Sequence, residues 1–237
     1  MAPDAVGPGE ALLRATGLTK RFRTPDGRVL EVLRGVDLTL ARGELVAVVG
    51  RSGSGKSTLL NLLGCLDRAD DGELWFGDAR LTGASRRALA AFRGRHLGFV
   101  FQTYNLIPEM TARENVLLAA RYVGHAAAAA ETEASSLLER LGMSDRAEQY
   151  PPALSGGEQQ RVAFCRAVLN NPAVILADEP TGNLDPENAA ILLSELRERA
   201  RGGRSAVLLV THSAELARAA DRMLALTDGQ LADAGQT

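Results

Sequence analysis

The sequence predicts an α/β fold: a phosphate-binding core, an N-terminal antiparallel β subdomain ahead of it, and a helical lobe inserted within it. Three observations predict this. Gly50-Arg51-Ser52-Gly53-Ser54-Gly55-Lys56-Ser57 fits the phosphate-loop pattern G-x-x-x-x-G-K-[ST] and lies between the apolar run Glu44 to Val49 and a stretch of helical spacing from Ser57 to Leu63. Two amphipathic strand-like runs precede that loop. A helical pattern starting near Thr103 separates it from a second apolar strand that ends in paired carboxylates.

In chain order, residues 1–10 are rich in Pro and Gly and read as a flexible tail. The runs Leu12 to Phe22 and Val29 to Leu40 flank Pro25-Asp26-Gly27, a turn signal, and suggest an antiparallel sheet. Phe22 ends the first run, where an aromatic ring is either core or a surface on which adenine stacks. Strand, Gly-rich turn and helix then follow in the order of a P-loop NTPase. The glycines let backbone N–H groups turn toward phosphate oxygens at the positive end of a helix, Lys56 would reach the β- and γ-phosphates, and the Ser57 hydroxyl would ligate Mg²⁺.

Beyond that helix, Asp70-Asp71-Gly72 turns the chain into Glu73-Leu74-Trp75-Phe76, with Trp75 expected in the core. His96 to Gln102 reads as a buried strand ending in an amide, so Gln102 is either a polar strand end or a site residue. The helical lobe spans approximately residues 103–165. Thr111-Ala112-Arg113-Glu114 is a capping box, the alanines from Ala126 to Ala130 favour helix, and Gly142 is a stop. Ser155 and Glu158 form a second capping box around Gly156 and Gly157, which makes another anion-binding helix start.

Ala173 to Ala177 delivers Asp178 and Glu179 at a strand tip, where two ionised carboxylates are costly unless a cation or water uses them. Asp185-Pro186 caps the following helix. Ser205 to His212 is an apolar strand ending in a histidine, and Thr227-Asp228-Gly229 marks a hairpin.

Composition narrows the function classes. The 237 residues have a net charge of −2, with 46% hydrophobic and 24% charged residues, a globular balance able to bury a sizeable core. No basic surplus marks nucleic acid as a partner. Cys65 and Cys165 lack metal or redox spacing and read as small buried hydrophobes in a reducing compartment. No run approaches the ~18 apolar residues of a membrane span, and the first residues lack a signal peptide's basic end and apolar block. A cytoplasmic chain is expected, with any membrane crossing left to another subunit.

Gly50 to Ser57, Gln102, Leu154 to Gln159, Val174 to Glu179, Asn183-Leu184-Asp185 and His212 stand in one order and spacing. They resemble the Walker A loop, Q-loop, signature, Walker B strand, D-loop and switch histidine of the ATP-binding subunits of ABC transporters. The resemblance covers roughly residues 11 to 233. It implies a RecA-like core, ATP and Mg²⁺ as cofactors, and ATP hydrolysis coupled to transport.

Residue by residue, the resemblance assigns the phosphates to Gly50, Ser52, Gly53, Ser54, Gly55, Lys56, Ser57 and Thr58. It assigns Mg²⁺ to Ser57, Gln102 and Asp178, the last through water. Glu179 would polarise the attacking water, while Lys56, Gln102 and His212 act at the γ-phosphate. Phe22 aligns where the family more often has Tyr, which favours the adenine contact. Ser155, Gly156, Gly157 and Glu158, with Asp185 of the D-loop, would meet the nucleotide of a second subunit, because cassettes of this family pair head to tail. That pairing accounts for the surplus anion-binding helix start.

Leu63 to Arg68, Leu97 to Gln102 with Asn105 to Pro108, and Ala177 to Asp185 look like the lipoprotein-release and macrolide-export group. Val162-Ala163-Phe164-Cys165-Arg166 departs from the Val-Ala-Ile-Ala-Arg common there. The group implies a homodimer under an integral-membrane permease, peripheral on the inner face of the membrane. Thr103 to Pro108, with Tyr104, Leu106 and Ile107, is the expected permease-docking segment. An importer ATPase and a non-transport ABC ATPase are the alternatives.

Overall fold

The structure is a computed structural model and describes residues 11–124 and 126–235, so the expected N-terminal tail lies outside the described residues. Its core is a six-stranded sheet. Five strands run parallel: β3 (Leu45–Val49), β6 (Leu97–Val100), β7 (Val174–Asp178), β8 (Ala206–Thr211) and β9 (Arg222–Thr227), with β10 (Gln230–Asp233) antiparallel at one edge, in the order β10-β9-β3-β8-β7-β6.

Strand periodicity divides the sheet's residues between two cores. Leu45, Ala47, Ile175, Ala177, Val207 and Leu209 face one core, while Val46, Val48, Val174, Leu176, Leu208 and Val210 face the other. The first is closed by α3 (Ala112–Arg121), α4 (Ala127–Arg140), α5 (Gly156–Val168) and α6 (Pro186–Arg201); the second by α1 (Lys56–Leu63), α2 (Arg86–His96) and a separate four-stranded sheet. Burial on both faces explains why these strands read as unbroken apolar runs.

The four-stranded sheet bears out the expected antiparallel subdomain: β1 (Ala11–Arg23) pairs with β2 (Val29–Ala41). It is wider than the sequence suggested, because β4 (Asp71–Phe76) adds to the other edge of β1 and β5 (Ala79–Arg80) adds to β4. Trp75 corrects an expectation. Alternation along β4 sends Leu74 and Phe76 into the core and leaves Trp75 half-buried, with its indole N–H on Glu73 and the Arg14 guanidinium 5.6 Å above its ring. Both cysteines are buried as expected, and burial pushes their thiols up, to about 11 for Cys65 and about 12 for Cys165.

Two helices escaped the sequence reading. The first, α2, buries only Leu89 fully, though Ser85 caps it and Phe92 meets Phe76 edge to face at 5.0 Å; α7 (Ala214–Arg218) is little more than one turn. The strand expected from His96 to Gln102 is shorter, since His96 closes α2 and β6 stops at Val100. Gln102 therefore sits in a turn, because Tyr104 and Asn105 go to positive φ and leave the strand direction.

Gly98 lets β6 lie close to the end of α5. A Cβ there would stand 2.3 Å from the Ala167 carbonyl oxygen and 2.9 Å from Pro172 Cγ. Since backbone cannot yield as a side chain does, Gly98→Ala is expected to destabilise the fold by about 1–3 kcal/mol, read as a lowered urea midpoint at unchanged slope.

Candidate nucleotide site

The parallel strands deliver their C-terminal ends to one edge, where an open α/β sheet binds its ligands. Register sets Val49 beside Thr211, Val210 beside Asp178, and Ala177 beside Val100. The loops leaving these four strands carry Gly50 to Lys56, His212, Glu179 and Gln102. They surround a cavity of about 700 Å³ lined by Phe22, Val32, Ser52, Gly53, Gly55, Lys56, Ser57, Thr58, Gln102, Asp178, Glu179 and His212.

The phosphate end of this cavity is the start of α1. Gly55 is the N-cap, at φ 101°, and no side chain caps the helix. An absent cap costs on the order of 1 kcal/mol, and the burial of Leu59, Leu60, Leu62 and Leu63, at about 1.5–3 kcal/mol each, more than offsets it. The first-turn N–H groups thus remain for an anion, and no acidic residue of that turn repels it. Lys56 Nζ is held by the carbonyls of Gly50 at 2.8 Å and Arg51 at 3.1 Å, an ammonium kept over the loop. Gly50 admits no Cβ, which would stand 2.6 Å from the Leu226 carbonyl oxygen and 2.7 Å from the buried, unpartnered Ser54 Oγ. This donor set fits a polyphosphate.

Opposite the loop stand the two carboxylates. Burial raises the Asp178 pKa, opposed by its hydrogen bond from Ser57 and raised further by nearby Glu179. A carboxyl with a raised folded value favours its protonated form, so its stabilising contribution is complete below the ordinary carboxylate range and fades as pH rises through the folded value. At neutral pH the charge is a cost to the nucleotide-free fold. Asp178→Asn is therefore expected to raise the melting temperature of the nucleotide-free protein at pH 7, with the gain shrinking toward pH 4 and hydrolysis impaired.

The same pairing tests the expected metal. Ser57 and Asp178 line the same cavity, a hydroxyl and a carboxylate of the hard-oxygen kind that Mg²⁺ takes alongside phosphate and water. No cluster of three or more His, Cys, Asp or Glu among the described residues competes with them as a metal site.

Glu179 leaves the strand at φ 43°, with its N–H on the Val210 carbonyl at 2.9 Å. Its carboxylate is held at both oxygens, by Thr211 Oγ1 at 3.1 Å and His212 Nδ1 at 2.7 Å. The His212 ring is 71% exposed and the Glu179 side chain 11%, so the histidine can swing and the carboxylate cannot. Phe22 is 41% exposed and offers its ring to the cavity, with Lys20 Nζ 5.3 Å from its centre.

Other sequence-selected residues lie elsewhere. Ser155, Gly156, Gly157, Glu158 and Asp185 do not line the cavity. Ser155 and Glu158 form the expected capping box at the start of α5, and the Ser155 N–H holds the Glu158 carboxyl below its usual range. No described residue accepts from the N–H groups of Gly156 and Gly157. Asp185 caps α6 and holds the Asn188 amide, which also meets Arg161 of α5.

In the segment after Gln102, Leu106 packs against the first core and Asn115 ties both backbone groups of Ile107. Leu106 and Ile107 are both half-buried, so each keeps part of its side chain exposed. Sequence reasoning also missed the ties of Arg166 and Asn183 to this segment, which carry no motif signal because they join residues more than sixty positions apart.

A phosphate loop, a strand-end carboxylate pair with an adjoining histidine, and a second bare helix start on one cassette define an ABC ATPase. A family model described as ABC transporter matches residues 33–182, and the chain belongs to that family. Lipoprotein-releasing system ATP-binding protein LolD 2 of Chlorobaculum tepidum is 44% identical over 97% of this chain and 95% of its own length. LolD of Porphyromonas gingivalis is 46% identical over 93% and 98%. Macrolide export ATP-binding/permease protein MacB 1 of Aeromonas hydrophila is 48% identical over 93% of this chain, which spans about a third (34%) of that relative's length.

The dimeric structure of the bacterial ABC transporter cassette MJ0796 superposes with a TM-score of 0.87 at 36% identity, covering 95% of this chain and all of that one. The same cassette in a post-hydrolysis state with ADP and phosphate also gives 0.87, at 34% identity. The chain is an ATP-binding cassette that hydrolyses ATP to ADP and phosphate, with the LolD/MacB-like fold and sequence. Among its described residues no helix is long and apolar enough to cross a membrane.

Proposed function

We propose that two copies of this chain pair head to tail around two ATP molecules and drive a membrane permease of the lipoprotein-release or macrolide-export kind. The observation that carries this reading is the start of α5. No described residue accepts from its two glycine N–H groups and the helix end is positive, yet it lies outside the cavity of its own chain. A second copy supplies the phosphate it is built to meet.

Within that pair each side chain has a task. The α1 start and Lys56 orient the triphosphate, Phe22 stacks on adenine, and Ser57, Gln102 and Asp178 hold Mg²⁺, which supplies charge neutralisation at the phosphates when bound. Glu179 accepts the proton of the attacking water, its carboxylate oriented by Thr211 and His212. His212, on Glu179 through Nδ1 in the nucleotide-free chain, is exposed enough to turn its N–H to the γ-phosphate. Gly156 and Gly157 of the second copy, with Ser155, Glu158 and Asp185 supporting that surface, close the site. Catalysis is positioning and electrostatic stabilisation in a water-excluded space. The segment 103–108 meets the permease through the exposed parts of Leu106 and Ile107, while Tyr104 lies against α5.

Purification of the tagged chain from detergent-solubilised membranes of its source tests the coupling. A permease with a large extracytoplasmic domain, bound by two copies of the chain and stimulating its ATPase, is the expected result. Recovery with an importer and its binding protein, or with no integral-membrane subunit, contradicts it.

A further inference from the structure

The segment after Gln102 is bonded to the far end of the signature helix and lies against its start. At the far end of α5, Arg166 donates from Nη2 to the Tyr104 carbonyl at 2.7 Å and from Nη1 to the Asn105 carbonyl at 2.5 Å. At the near end, Tyr104 Oη lies 2.9 Å from where a Cβ on Gly156 would stand. The helix positions Gly156 and Arg166 are about 15 Å apart, a gap that the Tyr104 side chain and the long Arg166 side chain cover between them.

The hold acts on an unfavourable backbone. Tyr104 and Asn105 sit at φ 59° and 50°, which residues with a Cβ rarely adopt in succession. One planar guanidinium bonding two consecutive carbonyls is suited to keep them there, since its fork geometry is rigid. Two further ties join the loop and α5 to the backbone around Glu179. Asn183 Nδ2 donates to the Gln102 carbonyl at 3.1 Å, and buried Gln160 of α5 donates to the Pro180 carbonyl at 2.9 Å.

We infer that Arg166 is a positioning residue that makes the Gln102 loop and the start of α5 one rigid body, coupling the γ-phosphate state of one chain to the helix start serving the other chain's nucleotide. The inference rests on the head-to-tail pairing proposed above. A loop free of α5 would leave the two sites of a pair coupled only through the pairing itself. Fastened to it, a displacement of Gln102 at one phosphate moves Ser155, Gly156 and Gly157 at the other, which is a coupling between distinct sites through one shared element.

The test is the Hill coefficient of steady-state ATPase against ATP, measured beside ATP affinity in the single chain and ATP-driven dimer mass. Wild type is expected to give a coefficient above about 1, bounded by its two sites. Arg166→Met keeps the length and apolar stem while removing both bonds. It should leave single-chain affinity and ATP-driven pairing within about 2-fold and lower the coefficient below that of wild type, toward 1, and Arg166→Lys, which retains a cation and one bond, should fall between. If Arg166→Met fails to fold, Arg166→Lys decides by the same coefficient. A variant that folds and stays as cooperative as wild type overturns the inference, leaving Arg166 a packing residue. A wild type that binds ATP yet neither pairs nor cooperates overturns the pairing itself and this inference with it.

Discussion

Glu179→Gln is expected to bind ATP as wild type does and to hydrolyse it at least ~10²-fold more slowly, the loss associated with removing a general base. The amide is nearly isosteric and still accepts from Thr211 through its carbonyl oxygen, so the turn at φ 43° and the adjoining strand stay in place. What disappears is the capacity to take the proton of water. Asp178 cannot replace it, because that carboxylate faces Ser57 and the phosphate loop. Single-turnover hydrolysis beside nucleotide binding separates the two effects. Near-normal turnover would remove Glu179 from its role.

Gly156→Asp should abolish ATP-driven pairing while leaving the fold intact. An aspartate at the first turn of α5 suits the positive end of that helix, so the isolated chain loses nothing from the charge. Its added Cβ meets Tyr104 Oη, the end of a side chain that can yield. In a pair, the same carboxylate would stand where the other chain's γ-phosphate must sit. Two like charges at about 4 Å repel by about 4 kcal/mol at an effective dielectric near 20, roughly a 10³-fold loss of association. Nucleotide binding by the single chain should persist, because α5 does not line its own cavity.

The core of this fold was legible because its strands carry unbroken apolar runs that end in chemistry, and the structure places Lys56, Gln102, Asp178, Glu179 and His212 around one cavity. The capping boxes at Thr111 and Ser155 were equally legible, since each is a four-residue pattern whose bonds are local. Harder to read were features whose cause is tertiary. Helix α2 exposes most of its Arg-rich sequence and keeps one fully buried leucine, so its apolar period is too weak to stand out. Trp75 follows from the parity of β4, which depends on its register against β1, Trp75 lying opposite Arg14. Leu106 looked like an exposed apolar loop residue, yet it packs partly on the core while Asn115, buried in the first turn of the next helix, ties the neighbouring Ile107 backbone. The Arg166 contacts had no sequence signature at all.

Head-to-tail pairing on ATP is the claim from which the roles of Ser155, Gly156, Gly157 and Asp185 follow, and the most direct test is the mass of the Glu179→Gln chain in solution with Mg²⁺. Light scattering should find the 25.1 kDa chain single with ADP and doubled with ATP, and single again with ATP once Gly156→Asp is added. A mass that remains that of one chain under saturating ATP, with binding independently confirmed, would contradict the account.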